Sequence, residues 1–533
     1  MTLPAVSERV RVLGTRHARL VGWLAPLGVA LVALALRLYR LGYPNRLMFD
    51  ETYYPKDAYS LRRFGYVQDF VEDANAKIVA GDFTGLFTGE PTQIVHPDGG
   101  KWVLALGQYL FGMNSFGWRF SAAVVGALTV LVLARMIRRL TGSTLLGCVG
   151  GLLLTFDGTH FVMSRIGLLD VFLAFWLVCA VACLVADRDW GRQRLVARVE
   201  AAGGVVTGFG PRLLWRPWRV GAGLCFGMAL GTKWSALYVL AVFGLLVWAW
   251  DAAARRSIGV RAAWVRSALV DAAPALVSIV LVAAVVYLAT WTGWLLHHEV
   301  FEARFGHGYG DNPAWGAYVD RPASGWFQQT TDAFRSLWHF HVMVYDFHTG
   351  DYLAGKTHPY QSSPRGWLLL SRPVGVDVVN DIQPGQQGCT AAAGDTCLRQ
   401  VTILGNPAVW WPGAAALVAS VWLWIRRGDW RFAVPLLAVA ATVLPWFQYD
   451  DRPIFSFYAV ATVPFTIVAT CLVIGAIRGT GPASALRSRL TVVGVGLYLA
   501  VVICLFAYFY PILTDQLLTR ADWADRMWFR RWI

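Results

Sequence analysis

The feature that most constrains this chain is a recurring apolar run of about twenty residues, the length a helix needs to cross the hydrocarbon core. Eleven such runs can be marked: 21–40, 117–137, 143–159, 167–186, 218–233, 235–251, 268–294, 407–425, 431–448, 454–475 and 490–511. A chain that is 56% hydrophobic over 533 residues, with a mean hydropathy of +0.47, carries more apolar surface than soluble domains of that length present. The expected fold class is therefore all-α integral membrane, a single polytopic domain over 1–533. The 26 tryptophans suit belts at the two membrane surfaces.

The net charge of +14 comes almost entirely from arginine. Nucleic-acid binding is excluded as its explanation, because the arginines fall in the short gaps between runs, where they mark orientation. Arg9, Arg11, Arg16 and Arg19 precede a full-length run, which reads as a cytoplasmic start with a retained first helix. From that start, every expected inner gap is basic. The first outer gap instead collects Asp50, Glu51, Asp57, Asp69, Glu72, Asp73, Asp82, Glu90 and Asp98. An odd number of spans places the C-terminus outside; its basic tail runs against the trend. Two outer loops are long, 41–116 and 295–406. Polar residues thus gather on one side, whereas a transporter places them near mid-membrane in related halves. Six cysteines lie within apolar runs. Cys389 and Cys397 lie in a polar outer segment where a disulfide is plausible.

Several outer segments carry chemistry. "LMFDETYYPKDAYSL" sets the adjacent carboxylates Asp50 and Glu51 directly after the first span. "IVHPDGGKWVLALG" brings His96 and Lys101. Its GGK is no phosphate loop, since Val95 and Trp102 occupy positions that motif reserves for Gly and Ser/Thr. Arg119 stands at the outer start of the second span. "FDGTHFVMSRIGLLDVFLAF" sets Asp157, His160, Arg165 and Asp170 between or inside spans, where ionisable groups pair or serve function. An Arg165–Asp170 or Arg119–Asp170 pair that fastens helices is one reading of them. Lys233 lies at an outer junction and Arg452 in the turn "QYDDRP". His339, His341, His348 and His358 fall within twenty residues. No HExxH-like frame accompanies them, so the pattern does not favour a divalent metal; the expectation is no cofactor.

Seven of these stretches, in order over nearly the whole chain, resemble the protein O-mannosyltransferases, specifically their bacterial, actinobacterial-type branch. They are "FDETYYPKDAYSL", "HPDGGKWVLALG", "RFSAAVVG", "FDGTHFVMSRIGLLDVFLAF", "GLCFGMALGTKWSALY", "THPYQSSPRGWLLLSRPV" and "DRPIFSFYAVATVPF". The resemblance implies a GT-C glycosyltransferase fold with eleven spans. It implies mannose transfer from polyprenyl-phosphate-mannose to Ser/Thr hydroxyls of exported proteins. It carries the catalytic role to Asp50 as base with Glu51 beside it, and importance to Arg119. His96, His341 and His358 fall on motif positions. The chain departs from eukaryotic members, whose second long loop holds a MIR domain; the loop here has only about 110 residues.

The chemistry fits that implication. A prenyl phosphate leaves as an anion and needs preplaced positive charge. Arg119, Arg165, Lys233 and Arg452 are the cations expected at the phosphate, with His96, Lys101, His341 and His358 as further binding groups. A Ser/Thr hydroxyl needs a base. One base and a cationic clamp describe a single inverting displacement. An acceptor emerging from export in extended form puts the export translocon among the candidate partners, beside the bilayer of a bacterial plasma membrane. The rival readings are a GT-C transferase acting on a lipid or cell-wall glycan, a lipid-linked sugar transporter, and a non-enzymatic partner of the export channel.

Overall fold

The structure is a computed structural model that describes residues 16–93, 95–321, 324–479 and 485–533. Arg9 and Arg11 lie outside the described residues. Among the described residues, eight helices are long and apolar enough to cross a bilayer: Arg19–Leu38, Ser115–Thr141, Asp170–Ala201, Ala236–Ser257, Ala263–Thr290, Pro407–Arg427, Trp430–Tyr449 and Arg489–Leu513. The other three expected spans fall short. They are the helices Thr144–Thr155, Pro217–Leu230 and Val463–Arg478, of 12, 14 and 16 residues. Each is shortened at the end expected to face outward, where a turn or short separate helix breaks from the span. Gly158–Met163 follows the first, Thr232 and Lys233 follow the second, and the turn Ser456–Ala461 precedes the third.

Local chemistry sets these ends. Asn114 caps Ser115–Thr141 by accepting from the Gly117 amide at 2.9 Å, and Gly142 closes that helix at φ +73°. Asp157 caps Gly158–Met163. Helix Pro217–Leu230 packs against 276–290 through a small-residue row. A Cβ at Gly223 would stand 2.3 Å from the Ser278 carbonyl oxygen, and one at Gly227 would stand 2.5 Å from Val286 Cβ. Such rows let helix backbones approach where the bilayer offers no hydrophobic driving force.

The arginines expected to mark the inner face do more than orient. Arg216 and Arg219 are buried against Asp187 and Asp251, with Arg216–Asp187 at 2.6 Å, Arg216–Asp251 at 2.8 Å and Arg219–Asp187 at 2.9 Å. Arg255 pairs with Asp271 at 2.6 Å. These pairs fasten the inner ends of four helices.

The expectation of an all-α chain needs correction, because the outer loops carry two small antiparallel sheets. Gln68–Phe70 pairs with Phe87–Pro91 in the first loop. In the second, Val374–Ile382 pairs with Cys397–Ile403, in register Val374 with Ile403, and Leu518–Thr519 adds a third strand. Cys389 and Cys397 are joined in a disulfide at the end of this sheet. The pairing accounts for the basic tail: it is docked on the second loop. Arg520 reaches Asp381 at 3.1 Å, and Trp532, buried, donates to the Leu370 carbonyl at 2.7 Å. Arg46 bridges from the first loop to the sheet through Asp377 and, at 3.2 Å, Asp515.

Candidate active site

The segment Phe49–Thr52 is a single tight turn following the first span. Phe49 holds φ +49°, a left-handed conformation that costs a bulky L-residue about 1–3 kcal/mol. Its ring is locked edge-on against His358, Phe455 and Phe457, at centroid distances of 6.1, 5.7 and 5.9 Å. The motif "DRPIFSFY" thus braces the turn that presents Asp50.

The two adjacent carboxylates meet different surroundings. Glu51 is 0% exposed and accepts five hydrogen bonds. They come from the Met48 amide at 3.0 Å, Trp118 Nε1 at 3.0 Å, Arg119 Nε at 2.9 Å, Arg119 Nη2 at 2.8 Å and the Gly167 amide at 2.8 Å. Asp50 is half-buried. Burial pushes its carboxyl up to about 6; Lys233 pulls it down, Asp170 pushes it further up, and a hydrogen bond with Tyr54 lowers it. It remains mostly ionised at neutral pH, yet is a stronger base than a solvated aspartate.

Around Asp50 the chain gathers cations and aromatic rings from four distant segments. Lys233 Nζ holds both oxygens of Asp170, at 2.8 and 2.9 Å, and lies 5.2 Å above the Tyr458 ring. His96 lies 6.2 Å from Tyr54 and stacks on His348 at 5.4 Å. Burial holds His96 well below the usual histidine range, with Lys233, His348, Lys101 and Arg452 adding to it. Arg452 Nη1 faces His348 Nδ1 at 3.5 Å, and its buried Nε has no hydrogen-bond partner among the described residues. A narrow cleft lined by Asp170, Lys233, Tyr238, Trp446 and Tyr458 runs inward beside the Lys233–Asp170 pair.

Other expected site residues serve elsewhere. Arg119 was expected at the donor phosphate. Instead it is 0% exposed and binds Glu51 together with the Leu41, Pro44 and Arg46 carbonyls, at 3.3, 2.9 and 2.8 Å. Arg165 closes the first helix, donating to the Arg37 and Tyr39 carbonyls at 2.6 and 2.8 Å. Neither arginine pairs with Asp170, whose partner is Lys233. Lys101 is buried between Asp57 at 3.1 Å and Asp98 at 3.2 Å, tying helix Tyr54–Phe64 to helix Gly99–Phe111. His341 has both ring nitrogens engaged, by the Tyr287 hydroxyl and the Leu337 carbonyl, and stacks on Trp234 at 5.4 Å. His358 sits beside Phe49 at the rim. Among the described residues, no three His, Cys, Asp or Glu side chains converge to hold a metal ion.

In the sequence His348 stands only as one of four neighbouring histidines and Tyr54 only within the Asp50–Glu51 stretch; neither carries an assigned role there. The available signal for His348 was spacing. Positions 341 and 348 are two turns apart on helix Trp326–Thr349 and share a face, whereas His339 falls on another side and stacks on Trp315 at 5.9 Å.

Comparison with known proteins agrees with this architecture. The family model described as dolichyl-phosphate-mannose-protein mannosyltransferase matches residues 28–292. A second, for the C-terminal four-transmembrane region of protein O-mannosyltransferase, matches 333–532. A polyprenol-phosphate-mannose–protein mannosyltransferase of Mycobacterium tuberculosis is 34% identical over 96% of this chain and 92% of its own length. Its Mycolicibacterium smegmatis counterpart is 35% identical over 96% and 93%. The yeast (S. cerevisiae) Pmt1–Pmt2 complex bound to the sugar donor superposes at TM-score 0.70 over 100% of this chain and 95% of that chain, at 14% identity, a likeness of fold. The chain belongs to the dolichyl-phosphate-mannose-protein mannosyltransferase family and is a membrane glycosyltransferase of the GT-C fold.

Proposed function

We propose that this protein transfers mannose from polyprenyl-phosphate-mannose to Ser or Thr hydroxyls of exported proteins, by inversion, with Asp50 as the base. The observation that carries the reading is the half-buried Asp50 beside the Lys233–Asp170 pair, with Arg452 reaching the same group of residues through His348. A lipid-linked donor would lie with its tail among the spans and its phosphate at Lys233 and Arg452. Asp50 takes the hydroxyl proton as the acceptor oxygen attacks the anomeric carbon. The bond from that carbon to the phosphate oxygen breaks, and its electron pair leaves with the phosphate. No general acid is required. Glu51 and Arg119 hold the turn, and Lys101, Arg165 and His341 shape the loops around it. His96 and His358 line the approach.

The same reading places the enzyme in a bacterial plasma membrane with eleven crossings. The N-terminus is cytoplasmic; the site and C-terminus are extracytoplasmic, where exported chains emerge unfolded beside the translocon and sugar nucleotides do not reach. The names of the relatives favour a protein acceptor over a glycan one. The test incubates purified enzyme in lipid with labelled polyprenyl-phosphate-mannose and a Ser/Thr-rich peptide. Label is expected in an alkali-labile O-glycan on the peptide; label in lipid or polysaccharide alone rejects the reading.

Two expected outcomes follow from the geometry. Arg452→Ala raises the KM for donor about ten- to a hundredfold, the loss of a charge-assisted hydrogen bond, while peptide KM stays near wild type. Transfer falls as pH drops through about 6, where Asp50 takes up its proton. The sign is that of a base with a raised pKa: activity is present above that value and lost below it. A pH–rate profile of kcat/KM that is flat between pH 5 and 7 contradicts the assignment.

A further inference from the structure

His348 joins three parts of the site that are far apart in sequence. Its Nε2 lies 2.8 Å from the Val95 carbonyl oxygen. A carbonyl only accepts, so Nε2 carries the proton and Nδ1 presents a lone pair. That lone pair faces Arg452 Nη1 at 3.5 Å. The face of the ring stacks on His96, 5.4 Å away with 17° between planes, and its edge meets Trp234 at 6.4 Å. Burial pushes the imidazole down to about 4 against the pull of the Val95 carbonyl, with Arg452 and Lys233 adding to the fall, so it is neutral beside the guanidinium. Arg452 has no carboxylate within salt-bridge distance among the described residues, and its Nε is buried without a partner. The guanidinium, half-buried and 5.4 Å above the Tyr449 ring, thus keeps a charge that no carboxylate among the described residues compensates.

We propose that His348 is a positioning residue: as a neutral ring fixed by the Val95 carbonyl, it orients Arg452 toward the phosphate of the lipid-linked donor. This rests on the placement of the donor phosphate at Arg452 given above. A carboxylate in place of the ring would neutralise Arg452 and compete with the phosphate. A neutral nitrogen acceptor steers the guanidinium and leaves its charge for the ligand. The Val95 hydrogen bond gives the ring a fixed tautomer and anchors the loop that carries His96.

Two substitutions separate the ring's two bonds. His348→Asn places an amide oxygen near the Nδ1 position and preserves the acceptor for Arg452. His348→Gln places an amide N–H near the Nε2 position and preserves the bond to Val95 only. With polyprenyl-phosphate-mannose and a fixed peptide, His348→Gln is expected to raise donor KM about tenfold with kcat within about twofold, and His348→Asn to restore most of that loss. In His348→Gln/Arg452→Ala, donor KM should match that of Arg452→Ala alone, because the histidine acts through the arginine. Equal defects in the Asn and Gln variants, or additive defects in the double variant, overturn the positioning role while leaving the phosphate site intact. An Arg452→Ala enzyme with unchanged donor KM overturns the phosphate placement itself. Thermal unfolding of each purified variant, unchanged from wild type, shows that the comparison is between folded enzymes; a lowered midpoint for Gln and Asn alike makes His348 a packing residue and also overturns the proposal.

Discussion

Asp50→Asn is expected to leave a folded, inserted protein whose mannosyl transfer is lower by about 10²–10⁴-fold, the range supplied by a positioned general base. The substitution keeps side-chain volume, removes the charge and turns one acceptor oxygen into an NH2 that cannot take a proton. Folding raises the Asp50 pKa from 3.8 to about 6, so the ionised carboxylate weakens the folded state at neutral pH. Removing that charge should hold the unfolding temperature level or raise it. A variant that is at least as stable and nearly inactive is the mark of a group kept for function at the cost of stability. Wild-type turnover in Asp50→Asn removes the residue from the mechanism.

Arg119→Ala should behave in the opposite way. It strips two hydrogen bonds from a carboxylate with no access to solvent and orphans three carbonyls after the first span. Breaking one partner of a buried ion pair costs about 3–5 kcal/mol. The expected result is a large fall in unfolding temperature and in yield from the membrane, with activity lost alongside. Arg119→Lys should rescue little, because one ammonium cannot serve the carboxylate edge and the three carbonyls together. If Arg119 instead contacted the donor, Arg119→Ala would fold normally and show only a raised donor KM. Purified protein assayed by thermal unfolding and donor titration distinguishes the two.

The contrast shows what could be read from the chain. The helical membrane class and the place of the Asp50–Glu51 turn directly after the first span follow from hydropathy and charge, because bilayer thickness imposes them locally; of the eleven expected spans, eight are helices long and apolar enough to cross among the described residues. The partners of each ion did not follow. Arg119, Arg165 and Lys101 look alike in sequence to Lys233 and Arg452: each is a cation at the outer end of a span or beside it. Only the fold shows that Arg119, Arg165 and Lys101 are enclosed by carbonyls and carboxylates, that Lys233 pairs with Asp170 while lining a cleft, and that Arg452 meets a histidine and no carboxylate among the described residues. The strands at 374–382 and 397–403 were equally hidden, since their third partner, 518–519, arrives from over a hundred residues away. His348 was visible as one histidine among four; its neighbour Val95 is 253 positions distant.

The central claim is tested most directly by the structure of the enzyme with an unhydrolysable polyprenyl-phosphate sugar and a Ser/Thr peptide bound together in a lipid nanodisc. The account predicts an Asp50 carboxylate oxygen about 2.6–3.2 Å from the acceptor hydroxyl, on the face of the sugar opposite the phosphate, with Lys233 and Arg452 on that phosphate. A hydroxyl seated against another base, or a phosphate remote from both cations, contradicts it.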